Sequence, residues 1–205
     1  MLERRSALAA VLDPAVAVST DPAALNRLGE IRGCALVQVA GFAATRAAVA
    51  TAVAGVTGAP CPGQIGVVVR TGPYKVLRTG AEQFWIAAKG VTDLDSRLSA
   101  VIPSAAGCVT PLSSARTRIY LDGPNARDIL AKGIAIDLAP GHFAIDQFAL
   151  TGLDHTPVLL FRAAEDRYEI WVMRTFARTV WDWLTDAALE FGVAIVNRPK
   201  EGQAS

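Results

Sequence analysis

Apolar residues along the chain alternate between two rhythms, one of strands and one of helices. Cys34-Ala-Leu-Val-Gln-Val39 is a short, nearly continuous apolar run and predicts a buried strand. Residues 43–54 are alanine-rich and predict a helix, ended by Gly55 and Gly58. Pro60, Pro62 and Gly63 mark a loop. Strands are predicted over 65–70 and 74–78, around the turn Thr71-Gly72-Pro73, and over 84–88 after the turn Thr79-Gly80. Thr92 then caps a helix, with Asp95 placed as the acid of a capping box. Leu94, Leu98 and Val101 fall on one face of it, and Pro103 stops it.

The second half repeats this order. A strand is predicted over 117–121, and Gly123-Pro124 opens a short helix through Lys132 that Gly133 closes. A loop covers 137–145, and strands follow over 147–151, 158–162 and 168–173. Residues 176–191 form the longest predicted helix, ended by Gly192. Ala81-Glu-Gln-Phe-Trp-Ile86 and Glu165-Asp-Arg-Tyr-Glu-Ile170 each lead through a strand toward a helix, a local echo of the same repeat. The pattern predicts an α+β fold of two pseudo-duplicated halves, each like a split βαβ unit. The expected organisation is an N-terminal segment over 1–30 and a single α+β domain over 31–197. That domain consists of similar halves at about 31–103 and 114–197, and a polar, disordered tail covers 198–205.

Composition narrows the function. The 205 residues are 52% hydrophobic and 19% charged, with a formal net charge of +1. A chain this long can bury a sizeable core, and the surplus of apolar surface calls for a partner to cover it. The balanced, scattered charge carries no nucleic-acid footprint. Cys34, Cys61 and Cys108 are distant in sequence and odd in number, which argues against a disulfide framework and for buried thiols in a reducing compartment. The start Met-Leu-Glu-Arg-Arg is not read as a targeting signal, because Glu3 and the Asp13-Pro14 pair interrupt it. No apolar run approaches the roughly 20 residues of a membrane span. A soluble, cytoplasmic protein is expected, with no nucleic-acid or membrane partner.

A search for chemistry yields little. His142 and His155 lie apart, each without a second ligand at metal spacing; His155 beside Asp154 is the one modest acid–base alternative to solvent-facing loop histidines. No phosphate loop, dinucleotide fingerprint or nucleophile elbow is present. Asp128, Asp137, Asp146 and Asp154 are candidate carboxylates in loops or turns. Asp137 stands in the apolar stretch 134–138, where it either serves a ligand or hydrogen-bonds its own backbone. On the last helix, Phe176, Val180, Trp183, Leu184, Ala187 and Phe191 are read as the core stripe, with polar Arg178, Asp182, Thr185 and Asp186 elsewhere. Trp181 is placed at the rim and Leu189 on the opposite face. Trp181, Leu189 and Arg178 are therefore the candidate partner-interface residues, against simple packing for the tryptophan. The alanine-rich helix allows close approach of a second surface or of its own sheet.

The segment Ser114-Ala-Arg-Thr-Arg-Ile-Tyr-Leu-Asp-Gly-Pro-Asn-Ala-Arg-Asp-Ile-Leu-Ala-Lys-Gly133 resembles the gamma subunit of heterotetrameric sarcosine oxidase. So do Ile136-Asp-Leu-Ala-Pro140 followed by Phe143, Arg174-Thr-Phe-Ala177, Trp181-Asp-Trp-Leu184, Asp186-Ala-Ala188 and Glu190-Phe-Gly192. The first half agrees more loosely, through Cys34-Ala-Leu-Val-Gln and Phe84-Trp85. Ile134 stands where that family often has cysteine and Ala139 where it often has histidine, so the complex could act on a relative of sarcosine. The resemblance implies a fold similar to the folate-binding domain of glycine-cleavage T-protein relatives. It implies a non-catalytic subunit of a complex that oxidatively demethylates sarcosine to glycine with tetrahydrofolate and oxygen. The partners implied are the alpha, beta and delta subunits, chiefly alpha. FAD, FMN, NAD, zinc and tetrahydrofolate are implied in those subunits, and no cofactor, metal or catalytic residue in this chain. The competing expectation is a stand-alone folate-binding or aminomethyl-transfer protein with Asp122 or Asp137 as the pterin acceptor.

Overall fold

The structure is a computed structural model that describes residues 6–12 and 24–196. The expected disordered tail and the first five residues lie outside the described residues. Two compact units divide the chain. One draws on residues up to Arg32, on Arg116–Ile145 and on the chain from Ala149 onward; the other comprises Gly33–Ala115 and Asp146–Phe148.

The second unit contains β2 (Cys34–Gly41), α1 (Arg46–Thr57), β3 (Val68–Thr71), β4 (Tyr74–Arg78), β5 (Gln83–Lys89), α2 (Leu94–Val101) and β6 (Gly107–Pro111). Its sheet has the order β3-β4-β5-β2-β6, antiparallel throughout. Val49 and Val53 of α1 and Leu94 and Leu98 of α2 pack on Val37, Val39, Val76, Phe84, Ile86 and Ala88 of one sheet face. Burial of each such leucine or valine is worth roughly 1.5–3 kcal/mol. Gly58 ends α1 in the left-handed conformation, its N–H bonded to the Ala54 carbonyl. Arg97 of α2 adds a cap by donating to the Val56 carbonyl at 3.0 Å and to the Tyr74 hydroxyl at 2.7 Å.

The first unit contains β1 (Asn26–Glu30), β7 (Arg116–Asp122), α3 (Ala126–Ala131), β9 (Thr156–Ala164), β10 (Arg167–Met173), α4 (Ala177–Ala187) and β11 (Val193–Val196). Its sheet, completed by β8 (Phe148–Leu153), has the order β11-β1-β7-β10-β9-β8. Reversed and stripped of β1, this is the order of the other sheet. β1 runs antiparallel to β7 and parallel to β11, so β11 is oriented to β7 as β6 is to β2. The duplication is therefore real, with one strand from the N-terminal stretch inserted between two repeat strands.

Similar side-chain clusters recur on the two sheets, two residues out of step with each other. In one sheet, Trp85 faces Gln38 in register and donates Nε1–H to its Oε1 at 3.0 Å, while Gln83 donates to the same oxygen at 3.1 Å. In the other, Trp171 faces Arg118 in register and donates to Glu169 at 3.0 Å, and Arg118 pairs with the same carboxylate at 2.7 Å. Arg78 and Arg162, the cross-strand partners of Phe84 and Tyr168, are equivalent. Arg78 donates to the Gly63, Gly80 and Ala81 carbonyls, and Arg162 to those of Phe143 and Glu165. Each arginine fastens a long loop to the hairpin that follows its own strand. Both two-residue hairpins, Gly72-Pro73 and Asp154-His155, open with a positive φ, 53° and 51°.

Several expectations are corrected. The capping box does not form: Asp93, not Thr92, is the N-cap of α2, without a side-chain cap bond, and Val101 is exposed. Strands β1, β6 and β11 were not predicted. The last helix is shorter than predicted, because Arg174–Phe176 form a 3-10 turn and α4 stops at Ala187; α1 is the longer helix. The thiols are not buried: Cys34 and Cys61 are half-buried and Cys108 is exposed.

Candidate functional site

The buried face of α4 consists of Ala177, Val180, Trp181, Leu184 and Ala187, at i, i+3, i+4, i+7 and i+10. This phase puts Trp181 in the middle of the stripe, packed in the core at 2% exposure, and corrects its placement at the rim. Phe176, expected in the core, is instead exposed, and Trp183 and Phe191 pack at its margin. Leu189 is 70% exposed, just beyond the helix. Arg178 is exposed and binds both oxygens of Asp182 at 2.7 Å, one helical turn away. The structure thus leaves Leu189 and Arg178 on the surface and takes Trp181 out of it.

The polar candidates serve local structure. Asp137 accepts from the Ala139 N–H at 2.8 Å and is hydrogen-bonded to His142 Nδ1. The backbone bond first, then the histidine, hold its carboxyl below the usual carboxylate range. Both side chains face water. Asp122 is paired with Arg167 at 3.0 Å, and Arg167 lies 4.4 Å from the centroid of Tyr120. Neither Asp122 nor Asp137 is the desolvated carboxylate that recognition of a pterin calls for. Asp146 pairs with Arg70 at 2.5 Å. His155 is 97% exposed in its hairpin, 3.6 Å from Asp154. Burial pushes the Cys61 thiol up to about 11, with Arg78 opposing weakly, so it is not an activated nucleophile. Among the described residues, no three of histidine, cysteine, aspartate and glutamate converge as a metal site would require.

Buried polar residues hold the first unit together. The Asn26 amide donates to the Gly192 carbonyl at 3.1 Å and to Asn125 at 3.3 Å, and its oxygen accepts the Asn125 N–H at 3.0 Å. Lys132 donates to the Ala187 carbonyl at the end of α4 and pairs with Glu190. Ser6 donates to Glu30 at 2.6 Å, and the turn it begins buries Leu8 and Leu12 in the core.

Surface apolar groups remain. Met173-Arg174-Thr175-Phe176, from the last residue of β10 to the residue before α4, are four consecutive exposed residues, with Met173 44% and Phe176 42% exposed. Sequence reasoning placed Met173 correctly in a strand but missed this segment because it assigned Phe176 to a core stripe.

The chain matches the family model described as the GCVT N-terminal domain over residues 65–197. It is 33% identical over 146 residues to sarcosine oxidase subunit gamma of Corynebacterium sp. strain U-96, covering 71% of each chain. It is 34% identical over 152 residues to the same subunit of strain P-1, covering 74% of this chain and 71% of that one. Among solved structures, a chain of heterotetrameric sarcosine oxidase from Corynebacterium sp. U-96 superposes with a TM-score of 0.82 at 29% identity, over 94% of this chain and 98% of that one. Glycine cleavage system aminomethyltransferase T from Bartonella henselae shares the fold, with a TM-score of 0.63 at 19% identity, over 84% of this chain and 48% of that one. With its duplicated α+β fold, the chain belongs to the sarcosine oxidase gamma subunit family.

Proposed function

We propose that this chain is the gamma subunit of a heterotetrameric complex of the sarcosine oxidase type. In this reading it supports assembly, chiefly with the alpha subunit and alongside beta and delta, and runs no reaction itself. The complex oxidatively demethylates sarcosine to glycine, with tetrahydrofolate and oxygen as co-substrates. FAD, FMN, NAD, zinc and tetrahydrofolate are held by the other subunits, and the complex works in the cytoplasm. No helix among the described residues is long and apolar enough to cross a membrane, which agrees with that location.

The observation that carries this reading is the superposition on a chain of a heterotetrameric enzyme over nearly the whole length of both. The polar groups add weight. Of the groups singled out from the sequence, Asp122, Asp137, Asp146, Asp154, His142 and His155 are held in turns, hairpins and ion pairs, and Arg78 and Arg162 are committed to backbone carbonyls. Exposed Leu189 and Arg178 remain candidate contacts with a partner.

Co-expression with the neighbouring flavoprotein subunits, followed by size-exclusion chromatography with native mass spectrometry, tests the proposal. One copy of this chain in a stable four-subunit particle is the expected result. Elution of the chain alone, with tight binding of tetrahydrofolate by the isolated chain, would favour a stand-alone folate-binding protein and end this reading.

A further inference from the structure

Residues 6–12 complete the core of the first unit from outside the repeat. Leu8 is fully buried and Leu12 is 3% exposed, in the same apolar cluster as Leu28, Ile119 and Leu121 of the sheet. The duplicated half supplies an internal control, since its core is built by its own strands, helices and connections alone. The two halves differ in how much sheet their helices must cover. The first unit's sheet has six strands and the other has five. The helix α3, which follows β7 as α1 follows β2, has 6 residues where α1 has 12. A wider sheet under a shorter helix leaves apolar face to be covered. Ile134, Leu138 and Phe143 of the long loop cover part of it, and the two leucines, one helical turn apart, cover another part.

This turn is attached by side chains. Its backbone bonds close on itself: the Ala9 N–H donates to the Ser6 carbonyl, and those of Val11 and Leu12 donate to the Leu8 carbonyl. Among the described residues, no backbone bond joins it to a strand or helix of the unit. Its polar tie is Ser6, whose hydroxyl donates to Glu30 Oε2 at 2.6 Å and accepts the Leu8 N–H at 2.9 Å. Glu30 follows Leu28 by two along β1 and so shares its face, and Arg32 Nε donates to the same carboxylate oxygen at 2.6 Å.

We propose that the first unit carries a groove for a helical turn with leucines at i and i+4, and that residues 6–12 are a strap seated in it, able to leave and return while the sheet beneath stays folded. Undocking gives up the burial of two leucines and one hydrogen bond to Glu30, and it breaks no strand pairing. Opening of this kind therefore lies below global unfolding.

Two measurements on the full-length chain test the proposal. In native-state hydrogen exchange, the Val11 and Leu12 amides of wild type should exchange at least about tenfold faster than the amides of β7 and β10. Ser6→Ala, which removes both bonds of the hydroxyl, should speed the strap further and leave β7 and β10 unchanged, and Ser6→Thr should restore the wild-type rate. Strap amides that exchange only as slowly as those of β7 and β10 would overturn the proposal. The second measurement adds a fluorescent peptide of residues 1–12 to the Leu8→Ser/Leu12→Ser chain, whose groove is left open. Saturable binding is expected, at least about tenfold tighter than to wild type, whose own strap competes, and lost when the peptide carries the same two serines. A folded double variant that takes up no peptide, or binds it no better than wild type does, would also overturn the proposal. Should the double variant not fold, the exchange measurement decides alone.

Discussion

Glu169 and Arg118 form a buried ion pair at 2.7 Å, with side-chain exposures of 4% and 8%, and the guanidinium lies 4.4 Å from the Trp171 ring centroid. Replacing Glu169 by Gln removes the negative charge and keeps the shape, which leaves the Arg118 cation buried without that carboxylate. Breaking one side of a buried pair costs about 3–5 kcal/mol. For a chain of this size that lowers the melting temperature by roughly 6–20 °C. Arg118→Gln should cost a similar amount, because it takes the guanidinium away from a buried carboxylate that also accepts the Trp171 indole N–H. The double variant Arg118→Gln/Glu169→Gln behaves differently. It rebuilds the kind of uncharged arrangement that Gln38, Gln83 and Trp85 already adopt in the other sheet, two residues out of step along the matching strands. No buried charge remains, so its cost should drop to about 1–2 kcal/mol, well below either single variant. Urea unfolding followed by circular dichroism and tryptophan fluorescence measures all four proteins. A double variant as unstable as the sum of the two singles would refute the claim that an uncharged triad can stand in for the ion pair.

Further outcomes can be checked. Gly29→Ala should destabilise by about 1–3 kcal/mol, because its Cβ would stand 2.6 Å from Cε1 of Tyr120, whose ring is covered by Arg167; thermal melting beside Gly33→Ala, which meets no neighbour but carries the same kind of φ strain as other left-handed glycines, separates steric overlap from backbone strain. Alkylation with iodoacetamide near pH 8, read by peptide mass spectrometry, should label exposed Cys108 well before Cys61, whose thiol is raised to about 11 by burial. Because the Asp137 carboxyl is held low in the folded chain, its contribution to loop order should be present above the ordinary carboxylate range and be lost as pH falls through the depressed value. An NMR titration should show its midpoint rise, though not fully to the ordinary value, in His142→Ala, where the Ala139 N–H remains; an unchanged midpoint contradicts the pairing.

Much of the fold was legible because the longer repeat strands are either apolar runs or bounded by glycine and proline. Tyr74–Arg78, closed by Gly72-Pro73 and Thr79-Gly80, was placed with its observed bounds. Of the strands that were missed, β1 lacks that signal and β6 and β11 are too short for it to stand out. β1 reads Asn-Arg-Leu-Gly-Glu, which has no alternation, and becomes a strand only because β7 and β11 flank it. β6 and β11 are five and four residues long and take their identity from pairing across the sheet. The error at Trp181 was one of helix phase. Starting the stripe at Phe176 rather than Ala177 rotates it by about 100° and moves the indole from core to rim. What no periodicity could supply is the pairing of Trp85 with Gln38 and of Trp171 with Arg118, since those partners meet only through strand register.

Native mass spectrometry of the complex purified through its flavoprotein subunits, without any tag on this chain, is the most direct trial of the central claim. A particle whose mass includes a single copy of the chain at full occupancy is the predicted outcome. A catalytically complete flavoprotein that purifies without the chain, while the chain remains alone in the same lysate, would contradict it.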